Sequence, residues 1–264
     1  MHKIFIISIL KDKVFQTIKN HQNNAFNYLE SGRSNNKMPI ILHIETTTEV
    51  CSTLLSNAGE ILIEKICLTP QSHATKLPVF LQEIIDFARK NDVMPNAVAV
   101  SAGPGSYTGL RIGISSAKGL CYGLEIPLIA IDTLKVIANA AKQMTDEKTL
   151  FCPMIDARRM EVYTALFNEN LQNILPTEAK IIDEDFLKNE LEKSKIVFCG
   201  NGSQKCKEII KHQNAIFFDD VIPLCINMIA DAEKKFAEKN FEDTAYFEPF
   251  YAKEFMATKP KQIF

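Results

Sequence analysis

The sequence predicts an α/β protein of two tandem lobes, each a mixed sheet flanked by helices. Three observations predict it. Apolar residues fall into segments of strand or helix period, separated by Gly, Pro, Asn and Asp. The order β-β-β-α-β-α-β-α is legible once from residue 39 and again from about residue 149. Each half then sets a short glycine turn after an apolar strand: Gly103-Pro104-Gly105-Ser106 and Gly200-Asn201-Gly202-Ser203. With 264 residues, 46% of them hydrophobic, the chain is long enough for two modest cores. The expected divisions are an N-terminal extension over 1–38, a first lobe over 39–145, a degenerate second lobe over 146–248, and a C-terminal tail over 249–264.

Each element has a local reason. Ile40–Thr46, Glu49–Ser56 and Glu60–Leu68 read as strands, with Asn57-Ala58-Gly59 as the turn between the last two. Ser72 is expected to cap a helix to about Asn91, with apolar residues at 77, 80, 81, 84, 85, 87 and 88. Pro78 predicts a kink or an irregular first turn there. Ala97–Ala102 is a strand, 107–122 a glycine-rich helix, Pro127–Asp132 a strand and Thr133–Gln143 a helix. In the second half, Thr149–Asp156 and Met160–Asn168 pair, and a weaker strand lies within Leu171–Ile182. Asp183 is expected to cap a helix through Ser194. Ile196–Gly200 is a strand, a helix is expected to about His212, Ala215–Phe218 is a strand, and Pro223–Asn240 is a helix. Ahead of residue 39, apolar Ile4–Leu10 meets Lys11-Asp12-Lys13, and Ser34-Asn35-Asn36-Lys37 closes a polar stretch. We expect a disordered tail there, or Met38 as the translation start.

Three antiparallel strands followed by parallel crossovers describe a ribonuclease H-like unit. Two in tandem resemble the actin, sugar-kinase and Hsp70 ATPase architecture. The repeat extends to details: Ile44-Glu45 before Glu49-Val50 parallels Ile155-Asp156 before Glu161-Val162. Architecture alone does not assign activity.

Composition narrows the field. Net charge is −2, so no global basic field marks a nucleic-acid binder. No apolar run approaches the ~20 residues that span a bilayer. The seven cysteines contain no Cys-x-x-Cys pair, which predicts buried, reduced thiols. The five histidines show no helical metal-ligand spacing, so no metal site is expected. The glycine run 103–113 lacks the Lys-Ser/Thr ending of a P-loop, and position 108 breaks Gly-x-Gly-x-x-Gly.

Enzymes of the resembled architecture grip ATP with glycine-bearing turns, because a backbone N–H must reach the phosphate without a Cβ in the way. The matching turns here are Glu45-Thr46-Thr47-Thr48-Glu49 and Asp156-Ala157-Arg158-Arg159-Met160-Glu161. Neither contains glycine. Glu45, Thr46, Thr47, Arg158 and Arg159 are therefore taken as vestigial nucleotide or anion contacts. Ser106 has no His-Asp pair that the sequence can place beside it.

Ile44-Glu45-Thr46-Thr47, Ser72-His73, the run Gly103-Pro104-Gly105-Ser106-Tyr107-Thr108-Gly109-Leu110-Arg111-Ile112-Gly113, and Ala117-Lys118-Gly119-Leu120 closely resemble the TsaB (YeaZ) family. The resemblance runs from residue 39 to the C-terminus, strongest over 40–135 and thin beyond 160. Glu45 stands where the family usually has Asp, and Pro249-Phe250-Tyr251-Ala252-Lys253 is a variant of the family's ending. The resemblance implies a cytoplasmic, non-catalytic scaffold of the machinery that places threonylcarbamoyl on N6 of adenosine 37 in tRNA. It implies TsaD as heterodimer partner, TsaE in a larger complex, a competing homodimer, tRNA met indirectly through the complex, and no cofactor or membrane. The paralogue TsaD resembles this fold but carries His-x-x-x-His; here His73 is followed at that spacing by Leu77. The alternatives are an active ATP-dependent threonylcarbamoyl- or phosphotransferase of the same fold, or an M22-type peptidase.

The resemblance further implies that helices 72–90 and 107–122 form the partner surface. On them we expect His73, Leu77, Phe80, Leu81, Ile84, Thr108, Gly109, Arg111, Ile112, Gly113, Ser116 and Ala117 to meet TsaD or a second copy. Small residues opposite large ones would bring helices together at the short end of ~8–10 Å. A bulky residue at Gly113 is expected to abolish docking and leave the monomer folded.

Overall fold

The computed structural model describes residues 39–251. The expectations for the N-terminal extension and for the tail beyond Tyr251 lie outside the described residues. In the first half, β1 (Ile40–Glu45), β2 (Cys51–Asn57) and β3 (Glu60–Cys67) form an antiparallel meander. α1 (His73–Lys90), β4 (Ala97–Gly103), α2 (Tyr107–Leu124), β5 (Leu128–Asp132) and α3 (Thr133–Lys142) follow. The second half holds β6 (Leu150–Asp156), β7 (Glu161–Phe167), β8 (Asn173–Ile181), α4 (Lys188–Lys193), β9 (Ile196–Cys199), β10 (Ala215–Phe218) and α5 (Ile229–Ala237).

The first sheet has the order β3-β2-β1-β4-β5, and the second, read from its antiparallel edge, is β8-β7-β6-β9-β10. In both, the first strand pairs antiparallel with the second and parallel with the fourth, as β1 does with β2 and β4, and β6 with β7 and β9. The duplication read from the chain is thus a duplication of topology, and the fold is a two-lobe α/β architecture. β1 is buried along almost its whole length, which explains its continuous apolar run. β8 is an edge strand exposed along most of its length, which explains its weak pattern.

Two helices lie where connectivity alone does not place them. α1 and α2 cover one face of the first sheet through Leu77, Leu81, Ile84, Leu110, Ile114 and Ala117. Its other face is covered by Cys225, Met228, Ile229 and Ala232, packed on Ile41, Leu54 and Ile129. α3 sends Leu134, Ile137, Ala138 and Ala141 to the second sheet and Val136 to the first. The range 146–248 therefore gives its last helix to the first sheet.

Several expectations need correction. α1 runs continuously through Pro78, whose ring faces solvent. Ser72 does not cap it; its hydroxyl donates to the Thr69 carbonyl at 2.6 Å. Asp183 accepts from Asp185 N at 3.2 Å in a local turn, and Leu187 takes a left-handed φ of 55°, so α4 begins only at Lys188. After Gly200 there is a 3-10 turn, Gln204–Cys206, rather than a helix to His212. Only Cys206 and Ile210 are buried anchors in that stretch, too few for a helical apolar face. Extended Leu224 and a 3-10 turn, Cys225–Met228, delay α5 to Ile229.

Candidate functional site

The two hairpin turns face each other across a cleft of about 1020 Å³ between the lobes, lined by Thr47, Ser106, Tyr107, Asp156, Arg158 and Arg159 among others. This is where enzymes of the resembled architecture hold phosphates. The decisive question is whether the turns have donors to offer.

In the first turn the side-chain and amide donors of Thr47 and the hydroxyl of Thr46 are spent internally. Glu45 is fully buried and accepts from Thr47 N at 2.6 Å, from Thr47 Oγ1 at 2.5 Å and from Ser101 Oγ. Burial pushes its carboxyl up, against the pull of those hydrogen bonds. Thr46 Oγ1 donates to the Gly109 carbonyl at 2.8 Å. Of the three candidate contacts in this turn, Thr47 alone lines the cleft; Glu45 and Thr46 are structural.

The second turn is closed the same way with exposed groups. Asp156 accepts from Arg158 N at 3.0 Å, and Ala157 N donates to the Glu161 carbonyl at 3.1 Å. Lys205 ties the turn down, donating to Asp156 Oδ1 and to the carbonyls of Arg159 at 2.7 Å and Glu161 at 2.6 Å. Arg158 and Arg159 take left-handed φ values of 72° and 49° and line the cleft with exposed side chains.

The glycine turns seat these hairpins. A Cβ at Gly105 would lie 2.6 Å from the Thr47 carbonyl oxygen, and one at Gly202 would lie 2.9 Å from Ile155 C. Gly103 and Gly200 both adopt positive φ, 110° and 90°.

The expected partner residues separate into two sets. Leu77 and Ile84 are fully buried, and His73, Leu81, Gly109, Gly113 and Ala117 are also buried. They pack inside the lobe and are not a free surface. A Cβ at Gly109 would overlap the Thr46 carbonyl, and one at Gly113 would overlap Thr46 Oγ1. The bare stripe therefore receives the first hairpin, and a bulky residue at Gly113 would disrupt the monomer. His73 spends Nε2 on the Val50 carbonyl, 3.0 Å away. Leu77 fills the second imidazole position inside the core, and among the described residues no three His, Cys, Asp or Glu side chains cluster for a metal.

Facing outward are Thr108 and Arg111, with Phe80, Ile112 and Ser116 half-buried. The sequence reading missed Tyr122, 87% exposed, and Val79, 51% exposed. Gly119, expected on the bare side of this helix, has open space around it, as does Gly123, which the sequence reading missed. The signal was available: 112, 115, 119 and 122 are the helical complement of buried 110, 114, 117 and 121.

Residues 242–251 run back along α2. Glu242 bridges β5, Lys118 Nζ donates to the carbonyls of Ala245 (3.0 Å) and Phe247 (3.1 Å), and Phe250 N donates to Ala102 O at 2.8 Å. The Tyr251 and Tyr107 rings lie 5.1 Å apart, and the Arg111 guanidinium lies 4.7 Å from the Tyr107 centroid. All seven cysteines are free and six are buried; burial pushes the Cys51, Cys121 and Cys152 thiols up to about 12.

Comparison with known proteins completes the description. The family model for TsaD, tRNA N6-adenosine threonylcarbamoyltransferase, matches residues 67–263. The tRNA threonylcarbamoyladenosine biosynthesis protein TsaB of Escherichia coli (strain K12) is 31% identical over 229 residues, 83% of this chain and 96% of that protein. A Pseudomonas aeruginosa protein described as similar to peptidase YeaZ superposes with a TM-score of 0.72 at 22% identity, over 82% of this chain and 100% of that one. YeaZ from the same organism gives 0.67 at 21% identity, over 81% and 100%. At that identity the two structures speak for the fold.

Proposed function

The chain belongs to the TsaB (YeaZ) family of tRNA threonylcarbamoyladenosine biosynthesis proteins, and from that premise we propose that it serves the modification without chemistry of its own. It docks on TsaD, supports the competent conformation of that subunit, and meets TsaE and tRNA within the assembled complex in the cytoplasm. The observation that carries this reading is the state of the two turns. The Thr47 and Arg158 amides, which would cradle a phosphate, are bonded to Glu45 and Asp156. The first is held by a fully buried carboxyl, so releasing it would take one hydrogen bond from a polar group in the core.

Docking falls to the outward sides of α1 and α2. Gly119 and Gly123 allow close approach, and Tyr122, Val79, Phe80 and Ile112 supply an apolar centre. A second copy would use the same patch, so homodimer and heterodimer compete. The lobes 39–145 and 146–248 remain the working units of this proposal, with α5 lent to the first.

Two measurements test it. Reconstituted tRNA modification should need this chain together with TsaD, while the chain alone turns nothing over. Turnover by the homogeneous chain, lost on changing one of its own acids, would overturn the proposal. Replacing Gly119 with Trp should abolish co-purification with TsaD at an unchanged melting temperature; retained co-purification would move the docking face elsewhere.

A further inference from the structure

We propose that the cleft mouth is a stacking site for an unpaired RNA strand. The inference deepens the reading above and rests on the family's part in tRNA modification. What the cleft offers is side chains rather than amides. Tyr251, 37% exposed, and Phe250, 49% exposed, stand at the mouth, with the Tyr107 ring tilted 37° against that of Tyr251. Arg111 lies over Tyr107, placing a cation beside an aromatic platform. Across the cleft, exposed Arg158 and Arg159 share the wall with half-buried Tyr163.

Three features favour a strand over a free nucleotide. The Thr47, Ala157 and Arg158 amides are already bonded within the turns. The volume, about 1020 Å³, exceeds what one nucleotide fills. Separate aromatic and cationic groups along an open groove suit successive bases and phosphates, the pattern by which unpaired strands are held. Charge is balanced overall and cationic only locally. Lys205, behind the wall, offsets Asp156, so the lining arginines Arg158 and Arg159 stand against Glu49 and Glu161, and Arg111 adds a cation only beside the Tyr107 platform.

The strap that carries Phe250 and Tyr251 is built in. The Phe250 carbonyl oxygen lies 2.6 Å from where a Gly103 Cβ would sit, so only glycine at 103 lets the strap close down. Lys118 fixes its upstream half through two carbonyls. The platform is thereby pre-positioned at the mouth.

The test uses the full chain, alone and in complex with TsaD, and three labelled probes: an RNA hairpin with an anticodon-type loop, the same stem as a blunt duplex, and ATP. The hairpin should bind at least about tenfold tighter than the duplex, and Tyr251→Ala should weaken it about tenfold while Tyr251→Trp restores it. Replacing both Arg158 and Arg159 with Gln should lower the salt slope of hairpin binding by roughly 1.4. Equal affinity for hairpin and duplex, ATP displacing the hairpin, or no hairpin binding that depends on Tyr251 in either form would overturn the proposal. Co-purification of the same variants with TsaD separates the two readings. It should be unchanged, and its loss would strike at the docking face instead.

Discussion

The turns Gly103–Ser106 and Gly200–Ser203 begin alike and end differently. Each opens with a positive-φ glycine and seats the hairpin of its lobe against a second glycine. The first then launches an 18-residue helix whose Ser106 Oγ accepts from Gly109 N, while the second relaxes into a three-residue 3-10 turn. The hairpins diverge too. The first is closed by Glu45 inside the core, the second by an exposed Asp156–Lys205 pair. The shared part is a backbone solution to close packing. The unshared part follows what lies downstream: many buried anchors along α2, and only Cys206 and Ile210 after the second turn.

The comparison breaks most sharply at the glycines. Gly113→Leu should cost on the order of 3 kcal/mol or more, because its side chain must displace Thr46, whereas Gly119→Leu on the same helix should stay within about 0.5 kcal/mol. Chemical denaturation of both variants checks it, and equal losses would mean the helix faces are misassigned. Gly105→Ala and Gly202→Ala compare the two turns directly. Each should cost roughly 1–3 kcal/mol, with Gly105 the worse because its Cβ would lie closer to the opposing turn.

Buried acids sharpen the contrast further. Glu64 on β3 has a buried Oε1 without a hydrogen-bond partner, and burial pushes its carboxyl up from 4.5 to about 7. A carboxyl raised in the folded state favours unfolding once it ionises. The folded protein keeps this proton up to about pH 7, so its stabilising contribution is full below pH 4.5, where the unfolded chain is protonated too, and is lost as pH rises from 4.5 to about 7. Glu64→Gln should therefore flatten the stability profile between those values and gain on the order of 2 kcal/mol at pH 8. Among the changes expected to destabilise, the mildest belongs to the second hairpin. Lys205→Met should cost about 1 kcal/mol or less, since its ion pair is partly exposed, and salt should shrink the difference.

Much of the fold was legible because strand alternation and turn residues agree locally. Ile40–Glu45, the Ala58-Gly59 turn and both glycine turns fall where chemistry demands them. The helices that shortened, 188–193 and 204–206, had caps or glycines to start them but too few buried anchors to extend them. The site was legible in part. That neither hairpin carries glycine could be read directly, but the inner side of α2 could not. Glycine has no side chain to declare a face, and the group filling the space, Thr46, lies far away in sequence. The strap over residues 242–251 was equally hidden, since Lys118 reaches backbone carbonyls that carry no sequence signature.

The thiol inventory has a practical consequence. Cys67 is only half-buried, and the other six cysteines are shut away in the interior. A cysteine installed at Gly123, in open space on the outer side of α2, would outpace the six interior thiols towards maleimide; Cys67, where burial is outweighed by hydrogen bonds from Ser72 and Thr69 that lower the thiol, is to be replaced first. A dye already in place would obstruct the proposed docking face, so the useful reading is the reverse: labelling at 123 that slows when TsaD is added shows the face being covered.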